Sequence, residues 1–177
     1  MTVLQTDRLT LRPLIAADAE LYAGMRYHPE VAKWLSPGDK SPGDLSPSAL
    51  DLVDAARAAI ERFELSWQER RYAPWGLFRD GRLIGHGGLN FVPEFGAIEV
   101  LWALHPDAQG KGYATEMGWQ ALRFGFETIG LPSIFAITRP DNIASQAVMK
   151  RLGLSYRKNV VYRGIDAVWF EIGREGS

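Results

Sequence analysis

Residues 109–114 read Gln-Gly-Lys-Gly-Tyr-Ala and stand between an apolar run and an amphipathic segment. Gly110 and Gly112 permit backbone conformations and close approaches that a Cβ resists. A helix beginning at Tyr113 offers unpaired N–H groups and the positive end of its dipole at the same place. Such a turn can hold phosphate oxygens, and Lys111 adds a cation. A plain strand-to-helix connection would use the same glycines only to turn, and the loop residues alone leave both readings open.

Other residues have the chemistry of proton transfer. Glu99 interrupts the apolar run AIEVLWAL at 97–104, where burial would raise its pKa towards the range of a working base. An ion pair with an arginine on a neighbouring strand is its competing role. Glu94 and Asp107 are weaker candidates in loops. The segment DNIASQAVMKRLGL, 141–154, carries Asn142, suited to a helix cap or to a ligand. It also carries Ser145, whose hydroxyl can donate to a ligand or bond back to the preceding turn.

Several chemistries are excluded. A mononucleotide loop needs GxxxxGK followed by Ser or Thr, whereas Lys111 is followed by Gly112. A dinucleotide loop needs a third glycine where Thr115 stands, directly after a strand, and Pro106 intervenes. The chain has no cysteine, so disulfides, thiolate metal sites and a cysteine nucleophile are ruled out. His28, His86 and His105 show neither metal spacing nor a Ser-His-acid arrangement, and structural roles are preferred for all three.

The elements that must hold these residues fit one domain, 1–177. Leu9 and Leu11 alternate with Arg8, Thr10 and Arg12, predicting a strand ended by Pro13. Short helices broken near Pro29 follow over 17–35, and the Pro, Gly and Ser of 36–48 predict a mobile loop. Leu50, Val53, Ala56, Ile60, Phe63 and Trp67 form one stripe on a long helix starting behind Ser46-Pro47. Asp80-Gly81 predicts a hairpin between strands at 75–78 and 82–89. Then come a strand at 97–104, a helix at about 113–127, a strand at 133–138, a helix at 141–152, and strands at 156–162 and 167–172. The order predicts an α+β (mixed α/β) fold, a mixed, mostly antiparallel sheet with helices on both faces.

A net charge of −1 without blocks of one sign argues against nucleic acid or a membrane surface as partner. The opening MTVLQTDRLTLRPL lacks a signal-peptide core, and no run approaches the ~20 apolar residues of a membrane span. Those features, with the missing cysteine, lead us to expect an unexported, cytoplasmic protein.

The chain resembles the GNAT superfamily of N-acetyltransferases. The family's cofactor motif is Gln or Arg, two residues, Gly, one residue, then Gly or Ala, and Gln109, Gly112 and Ala114 match it. The 141–154 block is similar to the family's Asn-x-x-Ser helix, and LQTDRLTLRPL and WGLFRDGRLIGHGGL extend the likeness through most of the chain towards the ribosomal-protein alanine N-acetyltransferase branch. The resemblance implies acetyl-CoA as cosubstrate and no metal. Trp102, Ala103 and Leu104 would pair with the pantetheine arm on a strand that splays from its neighbour. Gln109, Gly110, Lys111, Gly112, Tyr113 and Ala114 would surround the pyrophosphate, and Asn142 would hydrogen-bond the cofactor. Arg151 has a phosphate contact or a solvated face as its two readings.

For catalysis the resemblance supports Glu99 as base. Many members use a tyrosine as acid seven residues after the motif Asn, but this chain has Met149 there, which leaves Ser145 as the candidate donor. The acceptor would be an amine, at a peptide N-terminus or on a small molecule, bound among the N-terminal helices, the 36–48 loop and the last hairpin. Trp34, Trp75, Phe91 and Tyr162 have core packing as their first expectation there. A homodimer is compatible with the family, as is a non-catalytic acetyl-CoA-binding module.

Overall fold

The computed structural model describes residues 1–35 and 48–174. Its strands are β1 (Leu4–Gln5), β2 (Thr10–Arg12), β3 (Pro74–Arg79), β4 (Arg82–Val92), β5 (Ala97–Leu104), β6 (Ser133–Thr138), β7 (Ser155–Tyr162) and β8 (Ile165–Gly173). The helices are α1 (Ala19–Arg26), α2 (Pro29–Ala32), α3 (Ala49–Arg70), α4 (Tyr113–Arg123) and α5 (Ile143–Arg151). All eight strands join one sheet in the order β1-β2-β3-β4-β5-β6-β8-β7. Among the described residues only the β5–β6 pairing is parallel.

Sequence explains the turns. Asp80 (φ 50°) and Gly81 (φ 77°) close the β3–β4 hairpin, and Arg163 (φ 50°) with Gly164 (φ 78°) closes β7–β8. Two left-handed residues in succession are what a tight hairpin of this twist requires. On β5, Val100 and Leu104 are buried, with Ile98 and Trp102 packed beside them, in the core shared with Met117 and Leu122 of α4 and Met149 of α5. The opposite face of the sheet carries a second core in which Tyr22, Ala23 and Met25 of α1 meet Ala56, Ala59 and Ile60 of α3 and Phe78 and Leu83 of the hairpin. Helices therefore cover both faces, as the element order implies.

Several boundaries differ from the sequence reading. The long helix has Ser48 as its N-cap: the Ser48 Oγ accepts the Asp51 N–H at 3.2 Å and Asp51 accepts the Ser48 N–H at 2.9 Å, a reciprocal capping box; the expected Ser46-Pro47 start lies outside the described residues. Leu50 does not join the apolar stripe; it is 77% exposed, while Leu52 and Val53 pack against the core with Ala56 and Ile60. α4 passes into a π-helical turn over Phe124–Ile129 instead of continuing as α-helix. β1 escaped the sequence reading because two residues show no period. The predicted mobile loop lies outside the described residues except for Ser48.

Candidate active site

β5 is flanked unequally. On one side it pairs with β4 along its whole length, from Val92↔Ala97 to Gly85↔Leu104. On the other side it pairs with β6 at Glu99↔Phe135, and no residue beyond Glu99 is paired. The edge of β5 past Glu99, including Trp102, Ala103 and Leu104, is thus open towards β6. A strand edge without a partner presents main-chain donors and acceptors, which an extended amide-bearing chain can satisfy.

At the end of that strand a short 3-10 turn, Pro106–Ala108, delivers the chain to the glycine loop. The Gln109 Nε2 donates to the Leu104 carbonyl at 3.0 Å, tying the loop back to β5. Gly110 (φ 72°) and Gly112 (φ 81°) are both left-handed, the region where glycine is favoured. Gly112 caps α4, and its carbonyl accepts the first intrahelical bond, from Glu116 N–H at 3.0 Å. The amides before Glu116 have no partner inside the helix. Tyr113 and Ala114 are buried, while Gln109 and Lys111 reach the surface of the loop differently: the first bonds inward, the second is exposed and has no ion partner among the described residues.

α5 lies beside this helix start because α4 and α5 touch closely. A Cβ on Gly118 would come within 2.5 Å of the end of the Leu152 side chain, which would have to shift to admit it. Asn142 caps α5 through Oδ1, which accepts the Ser145 N–H at 3.2 Å. That bond uses one oxygen and leaves the amide nitrogen of Asn142 for another partner. Ser145 is half-buried, and its hydroxyl bonds none of the described residues. Met149 is 1% exposed and belongs to the core, so the position of the family's tyrosine is filled by packing. Arg151 is exposed.

Glu99 faces the other way. Ile98 and Val100 pack towards α4, and alternation along a strand turns Glu99 to the face that carries α1 and α3. It is half-buried, with Asn90 opposite on β4 and Phe135 opposite on β6. On its far side stands a small aromatic core: Phe135 stacks on Trp169 at 3.9 Å, and Phe95 packs edge-on against both. Glu94 is tied to Arg163 at 2.9 Å, and hydrogen bonds to its own backbone and to Arg163 hold its carboxyl below the usual range. Asp107 is exposed beside His105 and Arg82. Neither reaches Glu99's place at the point where β5 and β6 part.

Of the aromatics considered for an acceptor wall, Trp75 is fully buried core and Phe91 packs against the same core. Tyr162 packs on the small aromatic core. Trp34 is 38% exposed, with the Lys33 ammonium 5.4 Å and the Arg139 guanidinium 5.6 Å from its ring; it joins α2 to the end of β6. The histidines have structural places. His28 and His105 accept the N–H of Glu30 and Asp107, each at 3.3 Å, at helix starts. His86 is buried against Tyr22 and Phe63, and burial, reinforced by the charge of Arg26, pushes its pKa down to about 3.

Residues 8–155 match the family model described as an acetyltransferase (GNAT) domain, a span that holds the glycine loop, Glu99 and the Asn142 helix together. The chain belongs to the GNAT acetyltransferase family. The GNAT domain is 27% identical over 164 residues to an uncharacterised N-acetyltransferase of Bacillus subtilis (strain 168), covering 91% of this chain and 86% of that one. It is 27% identical over 161 residues to the FsC-acetyl coenzyme A-N(2)-transacetylase of Aspergillus fumigatus, covering 86% of this chain and 65% of that protein. Among solved structures, a ribosomal L7/L12 α-N-protein acetyltransferase in complex with coenzyme A superimposes with a TM-score of 0.78, covering 99% of this chain and all of the other, at 16% identity. At that identity the likeness shows the fold.

The enzyme is therefore an acetyltransferase of the acetyl-CoA-dependent GNAT type. Its residues fit that cosubstrate: an open strand edge for an amide-rich arm leads to left-handed glycines and free helix amides for a pyrophosphate. Among the described residues no helix is long and apolar enough to cross a membrane. Sequence reasoning missed what fixes the loop from outside. Arg8 donates to the Lys111 carbonyl at 2.9 Å and pairs with Glu116 at 2.6 Å, and Arg79 donates to the Tyr113 hydroxyl. The signal available was two basic residues, Arg8 between β1 and β2 and Arg79 at the end of β3; nothing in their spacing tells which group they meet.

Proposed function

We propose that the enzyme transfers acetyl directly from acetyl-CoA to a primary amine, with a peptide N-terminus as the leading acceptor. The single observation that carries the direct-transfer reading is the place of Glu99. It stands at the last paired position before β5 and β6 separate, beside the opening and on the face opposite the α4 core. Bound acetyl-CoA supplies an acetyl group activated as a thioester.

The residues of this chain do the rest. Trp102, Ala103 and Leu104 present the β5 edge to the pantetheine amides, while the amides of 110–114 and Lys111 hold the pyrophosphate. Asn142 bonds the arm through its amide nitrogen. Glu99, directly or through one water, takes the proton from the acceptor ammonium so that the amine attacks as the neutral nucleophile. Donors along the open β5 edge stabilise the negative charge that develops on the acetyl oxygen. Ser145 passes a proton to the departing thiolate and takes up the one that the newly acylated nitrogen sheds. No covalent enzyme intermediate is needed, in keeping with a chain that has no cysteine.

The protein-directed acceptor is supported by the fold-level likeness to the ribosomal-protein acetyltransferase. A small-molecule amine is the second reading, favoured by the sequence match to the Aspergillus transacetylase. A thiol-release assay with acetyl-CoA against peptides with free N-termini and a panel of small amines separates them. Turnover on peptides alone supports the first reading and turnover on small amines alone the second. Stabilisation by NAD but not by CoA in a thermal-shift measurement would remove both.

A further inference from the structure

Arg8 lies in the link between β1 and β2, yet its donors end at the start of α4. Its backbone N–H donates to Glu116 Oε1 at 3.0 Å, its Nε to Oε2 at 2.7 Å, and Nη2 closes to 2.6 Å from the same oxygen. Nη1 donates to the Lys111 carbonyl at 2.9 Å. The guanidinium carbon stands 4.6 Å from the centre of the Tyr113 ring, and the Thr6 hydroxyl completes the shell of Glu116. Burial raises the Glu116 carboxyl, but the bonds from Thr6 and Arg8 outweigh it and leave the group below its ordinary range.

Two consequences follow for the loop. A trans peptide carries its C=O and the next N–H on opposite sides. Holding the Lys111 carbonyl against Arg8 therefore turns the Gly112 N–H away from the N-terminal segment, to the side where the loop is free. Glu116, in the first turn of α4, also places a negative charge near the helix start, where it would repel an incoming phosphate. Arg8 cancels that charge.

We propose that Arg8 is a positioning residue for the cosubstrate. It orients the 109–114 loop through the Lys111 carbonyl and neutralises Glu116, and so favours the pyrophosphate of acetyl-CoA by acting through the loop. The proposal rests on the acetyl-CoA reading above and adds a residue that the family's loop motif does not contain.

The test compares acetyl-CoA with acetyl-pantetheine, a thioester that lacks the pyrophosphate. Arg8→Ala should lower kcat/KM for acetyl-CoA about tenfold, the scale of one charge-assisted contact, mostly through KM. The same variant should leave acetyl-pantetheine within about twofold. Arg8→Ala/Glu116→Gln should recover part of the loss, because the uncompensated carboxylate is gone, and Arg8→Lys should fall between wild type and Arg8→Ala. Should Arg8→Ala fail to fold in thermal unfolding, Arg8→Lys and the double variant carry the same two-thioester comparison. Equal losses on both thioesters, or unchanged acetyl-CoA kinetics, would overturn the role of Arg8. A wild-type enzyme that used both thioesters equally well would overturn the pyrophosphate reading itself and Arg8's part with it.

Discussion

In the arrangement proposed for this enzyme the cofactor side is built from main chain, whereas the acceptor side is built from side chains. Along β5 and the 109–114 loop the working groups are peptide N–H and C=O groups, shaped by Gly110 and Gly112 and by a helix start. On the opposite face the groups are Glu99 and Asn90, brought together from separate strands and backed by the buried rings of Phe135 and Trp169. The first arrangement is local in sequence and survives wide changes of side chain. The second exists only when distant segments meet, so one substitution can change it. A main-chain site therefore suits the cosubstrate common to a family, and a side-chain site suits an acceptor that varies between members.

The largest effect that would sharpen this contrast is at Glu99. Glu99→Gln should lower kcat/KM about 100-fold or more at neutral pH, the usual scale for loss of a general base, while CoA affinity measured by calorimetry stays unchanged. A rate and pH profile equal to wild type would show that the acceptor wall does no chemistry. Next is the main-chain side. Gly112→Val puts a β-branched residue at φ 81°, which costs about 1–2 kcal/mol and shifts the helix start; KM for acetyl-CoA should rise about tenfold with kcat little changed. If kcat fell instead and KM held, the division between the two sides would be broken.

Ser145→Ala tests whether the contrast extends to α5. The Asn142 cap uses the backbone N–H of residue 145, so it survives the change, and kcat should fall about fivefold if the hydroxyl is the proton donor, below the usual scale for a general acid because a thiolate leaves readily. A wild-type kcat would return Ser145 to a local role. The smallest effect at neutral pH concerns His86, under the acceptor face. Its folded pKa is about 3 against 6.5 for the free group, so at low pH the unfolded chain binds a proton that the folded chain refuses. The stability this contributes is complete above about 6.5 and is lost as pH falls from there towards 3. His86→Phe should flatten that part of the curve in chemical denaturation, and an unchanged slope would count against a neutral buried imidazole.

How much was legible depends on the distance over which each feature is encoded. β5 and β6 were bounded at their observed ends because an apolar run between turn residues is a local signal. Asp80-Gly81 and the loop glycines were equally direct, since φ above zero selects residue type on the spot. Leu50 misled because a stripe records period but not where the neighbouring surface stops. The π-helical turn at Phe124–Ile129 was hidden because its residues suit an α-helix equally well. Arg8 and Glu116 carry no mark that they meet, being 108 residues apart.

By itself the sequence determined the element order, the glycine loop at a helix start, the family and the loss of the tyrosine at Met149. Each is written in neighbouring residues, whose backbone preferences act before any tertiary contact forms. Only the tertiary structure decided that β5 and β6 part after Glu99, that Met149 is sealed in the core, and that the loop is held by Arg8 from the opening strands. Those depend on which surfaces bury one another, a property of the whole folded chain that spacing along it does not record.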